Sequence, residues 1–542
     1  MVNTTVTTAA GCADDSTYYP LSATVTDAAG NVFITWSDNR TGEYNIYVQK
    51  FNSDGVAQWT ANGIRVAASA SKQLNPALAA DGAGGCAISW ADSAGTTGGY
   101  EIKAQYLNAN GNPQWTAAGI AVCSTVNNQL YPKIISDGAG GYYISWYDER
   151  TTAGVGAIYY QRLNSAGTAQ YTANGLVVTG SNVENDFASQ HFLLADNGNA
   201  VEVWSQFTGN NYDIKAQKYN SAGVAQWTAA GVSVSSSSNF EVYYNAVMDN
   251  ASNLYITWES YSAPDYGVAD VYAQKINSAG ALQWGSNAKL ICGANNDQWT
   301  PVVAPDNAGG AFFAWQDYRN DPNGFIADIY AQKVNAAGAV VFAANGVAVS
   351  TATNDQLFPA IVYDNTGNAI ISFMDYRTGT ELNLYAQKIN GSGVAQWTAD
   401  GIPVANAANN QVIMQSVAVN SGAILAFYDD RSTLGCYKPF LQRLNFDGSL
   451  GNVTTAVPDI ITARDKLKVY PTLMHTTLIA ENNNAYAVPM RIMDISGRVV
   501  WQQTLPAYSR TSTDVSRLPA GVYLSDYLLK DGQRVKLPLV KQ

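Results

Sequence analysis

Two histidines, five cysteines and a charged fraction of only 13% are spread over 542 residues. Each scarcity removes a class of chemistry. His191 and His475 fall in different domains, so they cannot jointly build a metal site or a catalytic triad. The cysteines are odd in number and follow no zinc-type spacing. Cys12, Cys123 and Cys292 each lie eight or nine residues before a proline (Pro20, Pro132, Pro301), as equivalent positions of a repeat too far apart to pair. Cys86 sits in an apolar run and reads as a small core residue. The geometric limits on disulfides leave room for a Cys12–Cys436 bridge between the first and last repeats. No apolar run is long enough for a membrane span, so no transmembrane segment is expected. The opening Met1-Val-Asn-Thr-Thr5 lacks a basic start and an apolar core, and reads as a mature form whose export signal has been removed.

The few charges are unevenly placed. Residues 458–542 hold 11 Lys+Arg against 7 Asp+Glu, and the first 457 hold 19 against 35, a balance of −16. A body this acidic repels phosphate backbones, so nucleic acid is excluded as a partner. Abundant Gly, Asn, Ser, Thr and Tyr give the composition of an extracellular β protein.

What the chain has in quantity is one phrase, repeated eight times: Pro-(x)4-Asp-x-x-Gly, then Trp-x-Asp-x-Arg, then Ile-Tyr-Ala-Gln-Lys, then Gln-Trp-Thr. Its aromatic anchor falls at Trp36, Trp90, Trp146, Trp204, Trp258, Trp315, Phe373 and Phe427, 54 to 58 residues apart. In the seventh copy, residues 359–364, 369–375 and 382–389 alternate as strands separated by Asn/Gly-rich turns, and Val394-Ala-Gln-Trp397 begins a fourth. Four antiparallel strands per period predict a propeller blade, and eight blades close a ring over residues 1–457. The last copy stops after Asn445-Phe-Asp-Gly448 without its Gln-Trp-Thr, while an unassigned strand-like segment at residues 2–8 precedes the first. The N-terminal segment is therefore expected to complete the last blade and close the ring without an exposed edge.

The phrase resembles the Asp-box propellers of the sialidase-like group over about residues 18–450. The resemblance is loose: Asn52-Ser-Asp-Gly55-Val-Ala-Gln-Trp59 places Gly four residues before Trp, where the box has three, and no Arg-Ile-Pro motif occurs. It implies the fold and carries over no active-site residue. Residues 458–542 resemble, through more specific motifs, the C-terminal sorting domain of type IX (Por) secretion in Bacteroidota. The residues that carry this are Lys468-Val-Tyr470-Pro471, Arg491-Ile-Met-Asp-Ile-Ser-Gly497-Arg-Val-Val500 and Asp514-Val-Ser-Arg-Leu518-Pro-Ala-Gly521-Val-Tyr523, with Lys541 near the end. Thr472-Leu473 departs from the family's usual Asn-Pro there. The resemblance implies a small Ig-like β-sandwich, engagement of the outer-membrane translocon by residues 458–542, and a secreted or cell-surface location in a Gram-negative, Bacteroidota-type bacterium.

Trp-x-Asp-x-Arg places three side chains on one strand face. The pairs Asp38/Arg40, Asp148/Arg150, Asp317/Arg319, Asp375/Arg377 and Asp429/Arg431 are expected to be structural, because repeated features serve stacking. Three copies break the rule, at Trp90-Ala-Asp-Ser, Trp204-Ser-Gln-Phe-Thr and Trp258-Glu-Ser-Tyr-Ser, and such departures mark either function or drift. The second aromatic (Trp59, Trp115, Tyr171, Trp227, Trp284, Phe342, Trp397) reads as packing between blades. Glu149, Glu202, Glu259, Asp265 and Asp321 are the acids that do not repeat, and the sequence pairs none of them. Asn320-Asp-Pro-Asn-Gly324 with Asp328 lacks a calcium-loop pattern and reads as a turn, so no cofactor is expected, calcium being the one ion left open. Asp92-Ser93-Ala94 fits a short O-glycosylation acceptor pattern reported in Bacteroidota. The reading is a non-catalytic propeller binding a glycan or an extracellular protein, with a glycan hydrolase or lyase as the alternative and no catalytic residue assigned.

Overall fold

The computed structural model describes residues 4–5, 22–53, 55–93, 99–153, 155–178, 183–184, 191–208, 211–262, 267–419, 421–431, 437–451, 467–470, 473–474, 476–482, 486–494, 498–519, 521–528 and 534–541. The Cys12–Cys436 bridge, Asp265, His475, Pro471 and Gly497 lie outside them. All described regular elements are β-strands, and the chain divides into two compact units, Met1–Thr454 and Thr455–Gln542.

In the first unit, sheet 1 runs Ser22–Thr26, Val32–Asp38, Asn45–Phe51, Ile64–Arg65, each strand antiparallel to the next. Sheets 2 to 7 repeat this order over residues 73–123, 129–177, 192–233, 240–292, 298–350 and 356–405, and in sheet 3 Val183–Glu184 adds a fifth strand on the third. Sheet 8 has only three strands of its own, within 411–445, and Thr4–Thr5 supplies the fourth.

The repeated phrase has a local cause at each point. Asp137 turns the chain between the first two strands of sheet 3: its Oδ1 accepts the N–H groups of Ala139 and Gly141, both at 2.8 Å. Arg162 of the third strand reaches the other oxygen at 2.7 Å. Gln161 fastens the fourth strand, donating to Thr172 O at 3.0 Å and accepting the N–H of Tyr171 at 2.9 Å. The aromatic of Gln-Trp-Thr then crosses to the next sheet. Trp115 donates its indole N–H to Ser165 O at 3.2 Å, fifty residues on, and its ring lies over Gly167. A Cβ at Gly167, whose φ is +77°, would come within 2.9 Å of that indole, so both the turn and the contact demand glycine.

The ring closes. Apolar core joins each sheet to its successor, as with Trp90 and Val48 between sheets 1 and 2 or Phe373 and Phe312 between sheets 6 and 7. The last cluster joins sheet 8 to sheet 1 through Ile424, Ala426 and Leu441 against Val32, Ile34 and Trp36. Polar contacts cross the same seam: Thr24 N–H donates to Gln415 Oε1 at 3.0 Å, and Arg443 donates to Ser53 O. Thr4 and Thr5 pair with Leu441 and Phe440 on the free edge of sheet 8. Deleting residues 1–10 should therefore uncover that edge and destabilise the unit by about 1–3 kcal/mol, at roughly 1 kcal/mol per ladder bond. A thermal melt unchanged by the deletion would count against this closure.

The second unit packs a sheet of Leu467–Tyr470, Thr477–Asn482 and Ser509–Asp514 on one of Leu473–Met474, Val488–Asp494, Val499–Leu505, Gly521–Leu528 and Arg534–Lys541. Leu478 and Ala480 of the first face Met490, Ile492, Tyr527 and Leu539 of the second, which makes a sandwich with one core.

Candidate functional site

The end of each sheet where the second strand finishes and the third begins holds the Trp-x-Asp-x-Arg residues. In sheet 3, Trp146 donates its indole N–H to Asp148 Oδ2 at 2.8 Å. Arg150 grips the same carboxylate through Nε at 2.9 Å and Nη2 at 2.6 Å, and its backbone N–H adds a bond at 2.9 Å. Its guanidinium lies 3.7 Å over the ring of Tyr159 and donates to Asn174 O at 2.8 Å. Asp38/Arg40 and Asp317/Arg319 repeat the arrangement and Asp375/Arg377 repeats it without the indole, its anchor being Phe373, with rings Tyr47, Tyr330 and Tyr385 at 3.8 to 3.9 Å. Asp429/Arg431 is also paired, over Phe440 at 4.3 Å. Each guanidinium of the first four also donates to the turn before its own fourth strand, at Asn62, Asn174, Asn345 and Asp400.

The preceding sheet adds a thiol in two cases. Cys123 meets Arg150 at 3.3 Å and Asp148 at 3.6 Å, and Cys292 meets Arg319 at 3.0 Å and Asp317 at 3.7 Å. Burial pushes both thiols up to about 12, so they stay protonated as weak donors. Both, with Cys86, are free and buried.

Sheets 2, 4 and 5 depart from the pattern in different ways. Sheet 2 keeps its acid: Asp92 accepts from Trp90 at 3.0 Å and Ser71 at 2.5 Å, and Lys103 stands 3.5 Å away in place of an arginine. Sheets 4 and 5 lose acid and arginine together, and the buried indole N–H groups of Trp204 and Trp258 have no hydrogen-bond partner among the described residues. Sheet 4 acquires a buried dyad instead. Glu202 stands where every other sheet has Ile, Phe or Leu, and His191 stands where Pro76, Pro132, Pro301 and Pro359 open theirs. His191 Nδ1 and Glu202 Oε1 are 2.7 Å apart, and His191 Nε2 donates to Tyr131 O of sheet 3 at 2.8 Å. Burial raises the Glu202 carboxyl, His191 opposing, and burial lowers Lys133, which Glu202 pulls back up.

Sheet 5 puts glutamate where the repeat has glutamine. Glu241 occupies the place of Gln73, Gln129, Gln298, Gln356 and Gln411, and its Oε2 accepts Ile214 N–H at 3.2 Å. Glu259 matches Gln316 of sheet 6 atom for atom. Glu259 accepts Thr300 N–H at 2.7 Å and Tyr261 O–H at 2.8 Å, while Gln316 accepts Phe358 N–H at 2.7 Å and contacts Tyr318 O–H at 3.3 Å. Burial pushes both glutamates up to about 7.

Of the other non-repeating acids, Glu149 accepts from Asn128 at 3.0 Å, and Asp321 holds its loop by accepting Phe325 and Ile326 N–H at 2.7 and 3.1 Å. Asn320 donates to Asp328 at 2.6 Å. The structure brings no two of these acids into one open cleft among the described residues. The His191–Glu202 pair escaped sequence reasoning, although aligning the copies shows proline and isoleucine replaced within the same sheet.

The same end of the ring carries exposed aromatics. The first strands of sheets 2, 3, 5, 6 and 7 bulge at Asn75, Tyr131, Tyr243, Thr300 and Phe358, all with φ between 48° and 54°. Left-handed backbone is strained at an aromatic; the preceding sheet's Gln316 accepts the N–H of Phe358 at 2.7 Å and His191 donates to Tyr131 O at 2.8 Å, while Glu259 holds the N–H of Thr300. Tyr243 and Phe358 are each 43% exposed, and Phe325 on the Asp321 loop is 80% exposed. At the opposite end, a cavity of about 330 Å³ is lined by Val247, Val303, Ile361, Tyr363 and Asn365, with no carboxylate.

In the second unit, Asp514 accepts Ser516 N–H at 2.9 Å, Tyr523 donates to Pro519 O at 2.8 Å, and Leu518 packs on the core. Tyr470 and Gly521 lie in strands, opposite Ile479 and Lys541.

Residues 468–539 match the family model described as a secretion system C-terminal sorting domain. No curated protein matches the chain. Among solved structures, a Penicillium chrysogenum α-L-arabinanase complexed with arabinobiose is 14% identical with a TM-score of 0.31, covering 58% of this chain and 93% of that one. The Hadza microbial sialidase Hz136 is 8% identical at 0.31, covering 66% and 76%, and the polysaccharide lyase Uly1 is 9% identical at 0.40, covering 79% and 90%. The C-terminal segment is thus a type IX (Por) sorting domain, and it makes this chain a secreted or cell-surface protein of a Bacteroidota-type bacterium.

Proposed function

We propose that the first unit is a non-catalytic binding propeller, displayed or released through type IX export, that takes a glycan or an extracellular protein on the end carrying the first-strand bulges. The observation that carries the reading is the contrast at that end. The repeated Asp and Arg side chains are engaged with each other and with their own sheet, while Tyr243, Phe325 and Phe358, none of them repeat residues, face solvent on strained or capped backbone. Rigid exposed rings give contact area at low entropic cost and stack on sugar faces or apolar side chains. We propose the five Asp/Arg pairs as structural elements of each sheet and residues 458–542 as the part that meets the outer-membrane translocon.

Glycan-array and surface-protein binding by the full chain tests this directly. Binding to at least one ligand is expected, weakened roughly tenfold or more in Tyr243→Ala/Phe358→Ala, the order of one or two lost ring contacts. Binding that ignores those rings would sink the assignment of the face. Assaying the same glycans for new reducing ends or unsaturated products reads the alternative, a hydrolase or lyase, and turnover would overturn the non-catalytic reading.

A further inference from the structure

Six sheets place an aromatic ring opposite the second-strand anchor, and five of these rings carry a guanidinium. The five are Tyr47, Tyr159, Tyr330, Tyr385 and Phe440, with Arg40, Arg150, Arg319, Arg377 and Arg431 at 3.7 to 4.3 Å. The sixth is Tyr272 of sheet 5. It is set as the others are, stacked on Trp258 at 6.3 Å and 23°, against 6.0 Å and 25° for Tyr47 on Trp36 and 6.4 Å and 24° for Tyr159 on Trp146. No cation of the described residues lies over it. The residue in the arginine position is Ser262, and the residue in the aspartate position is Ser260, which accepts from Asn239 at 3.1 Å.

A carboxylate remains beside the ring. Asp270 pairs with Ser260 across the strands, two residues before Tyr272 on the same sheet face. Its counterpart in sheet 6, Asp328, shares the amide of Asn320 with the hydroxyl of Tyr330, at 2.6 and 3.0 Å, so a carboxylate at this position lies beside the ring. Asp270 is half-buried and makes no hydrogen bond or ion pair with any described residue. Trp258, 1% exposed, turns an indole N–H with no partner among the described residues to the place its counterparts fill with an aspartate oxygen.

We infer that the seat over Tyr272 receives the guanidinium of an arginine presented by a protein or peptide partner. The ring face attracts the cation as the rings of five other sheets do the chain's own arginines, and Asp270, from the third strand, accepts its N–H groups in place of the missing second-strand aspartate. The Trp258 N–H takes an oxygen from the same peptide or from water. Burial alone raises the Asp270 carboxyl, as expected where no cation sits beside it. This inference gives chemistry to the protein-binding arm of the proposed function. Its failure would leave glycan binding at Tyr243 and Phe358 untouched, because the probe is a single side-chain analogue.

The test is a ligand-observed NMR titration of the full chain with N-acetyl-L-arginine methylamide, beside its neutral citrulline isostere. Saturable binding of the arginine compound is expected, with the citrulline compound at least tenfold weaker. Asp270→Asn should weaken the arginine compound roughly tenfold, the loss of one charge-assisted hydrogen bond. Ser260→Asp/Ser262→Arg, which rebuilds the repeat's own pair, should abolish binding by filling the seat. Absence of saturable binding to the natural chain, equal response to both compounds, or undiminished binding by the refilled variant would each overturn the inference. Should the refilled variant not fold, the comparison of arginine with citrulline on the natural chain decides alone.

Discussion

Asp317→Ala is expected to lower the stability of the propeller by about 3–5 kcal/mol, the cost of stranding a buried charge whose partner is removed. Asp317 is fully buried and collects the indole N–H of Trp315, the guanidinium and backbone N–H of Arg319, and the thiol of Cys292 from the preceding sheet. Its loss would leave Arg319 over Tyr330 with no carboxylate within its grip. Asp375 has the same pairing with Arg377, but its anchor is Phe373, so it holds no indole. Asp375→Ala should therefore cost less than Asp317→Ala by about 1 kcal/mol, the worth of one hydrogen bond. Urea midpoints of the two variants give the order. Equal midpoints would remove the indole's contribution, and a loss of ligand binding with unchanged midpoints would make the pairs functional and not structural.

The second large effect is a dependence on pH set by sheet 5. Glu241 and Glu259 are held at about 7, above the ordinary 4.5, chiefly because burial disfavours the carboxylate, with Asp213 and Asp297 adding repulsion. For an acid whose folded value is raised, the unfolded chain loses its proton first. The stabilisation from the protonated form is complete below about 4.5 and is lost as pH rises through about 7. Each glutamate is worth on the order of 2–3 kcal/mol over that interval. The propeller should accordingly melt higher at pH 5 than at pH 8. Glu241→Gln/Glu259→Gln should raise the pH 8 value to meet it, since Gln316 with Tyr318 and Phe358 shows that the amide fits the same bonds. Melts of the two proteins at both values check this. A natural chain equally stable at pH 5 and 8, or a double variant that keeps the slope, would refute it.

The sequence by itself determined the period, the strands and the sorting tail. Residues such as Asp137, Gln161 and Gly167 act within one sheet or at a fixed offset into the next, and a local or periodic constraint leaves a local or periodic signature. The recurrence of Asp148 with Arg150 could be read for the same reason, since two residues apart on one strand must share a face. The expectation that a segment near the N-terminus fastens the last sheet came from a missing strand in the count, and Thr4–Thr5 against Phe440–Leu441 places it.

Only the tertiary structure decided what the departures do. Glu202 was one of several lone acids until the ring put His191 at 2.7 Å and the carbonyl of Tyr131 behind it. Glu259 gained a meaning when Thr300, 41 residues on, proved to be its donor. Ser260 and Ser262 stood open to function or drift on sequence alone, and the structure sets Asp270 and Tyr272 beside them with no cation of the described residues over the ring. A repeat alignment tells which residues are equivalent. It cannot tell which faces meet, because that depends on the angle at which neighbouring sheets stack and on the closure of the ring, and both are set by packing between sheets rather than by any one copy of the phrase.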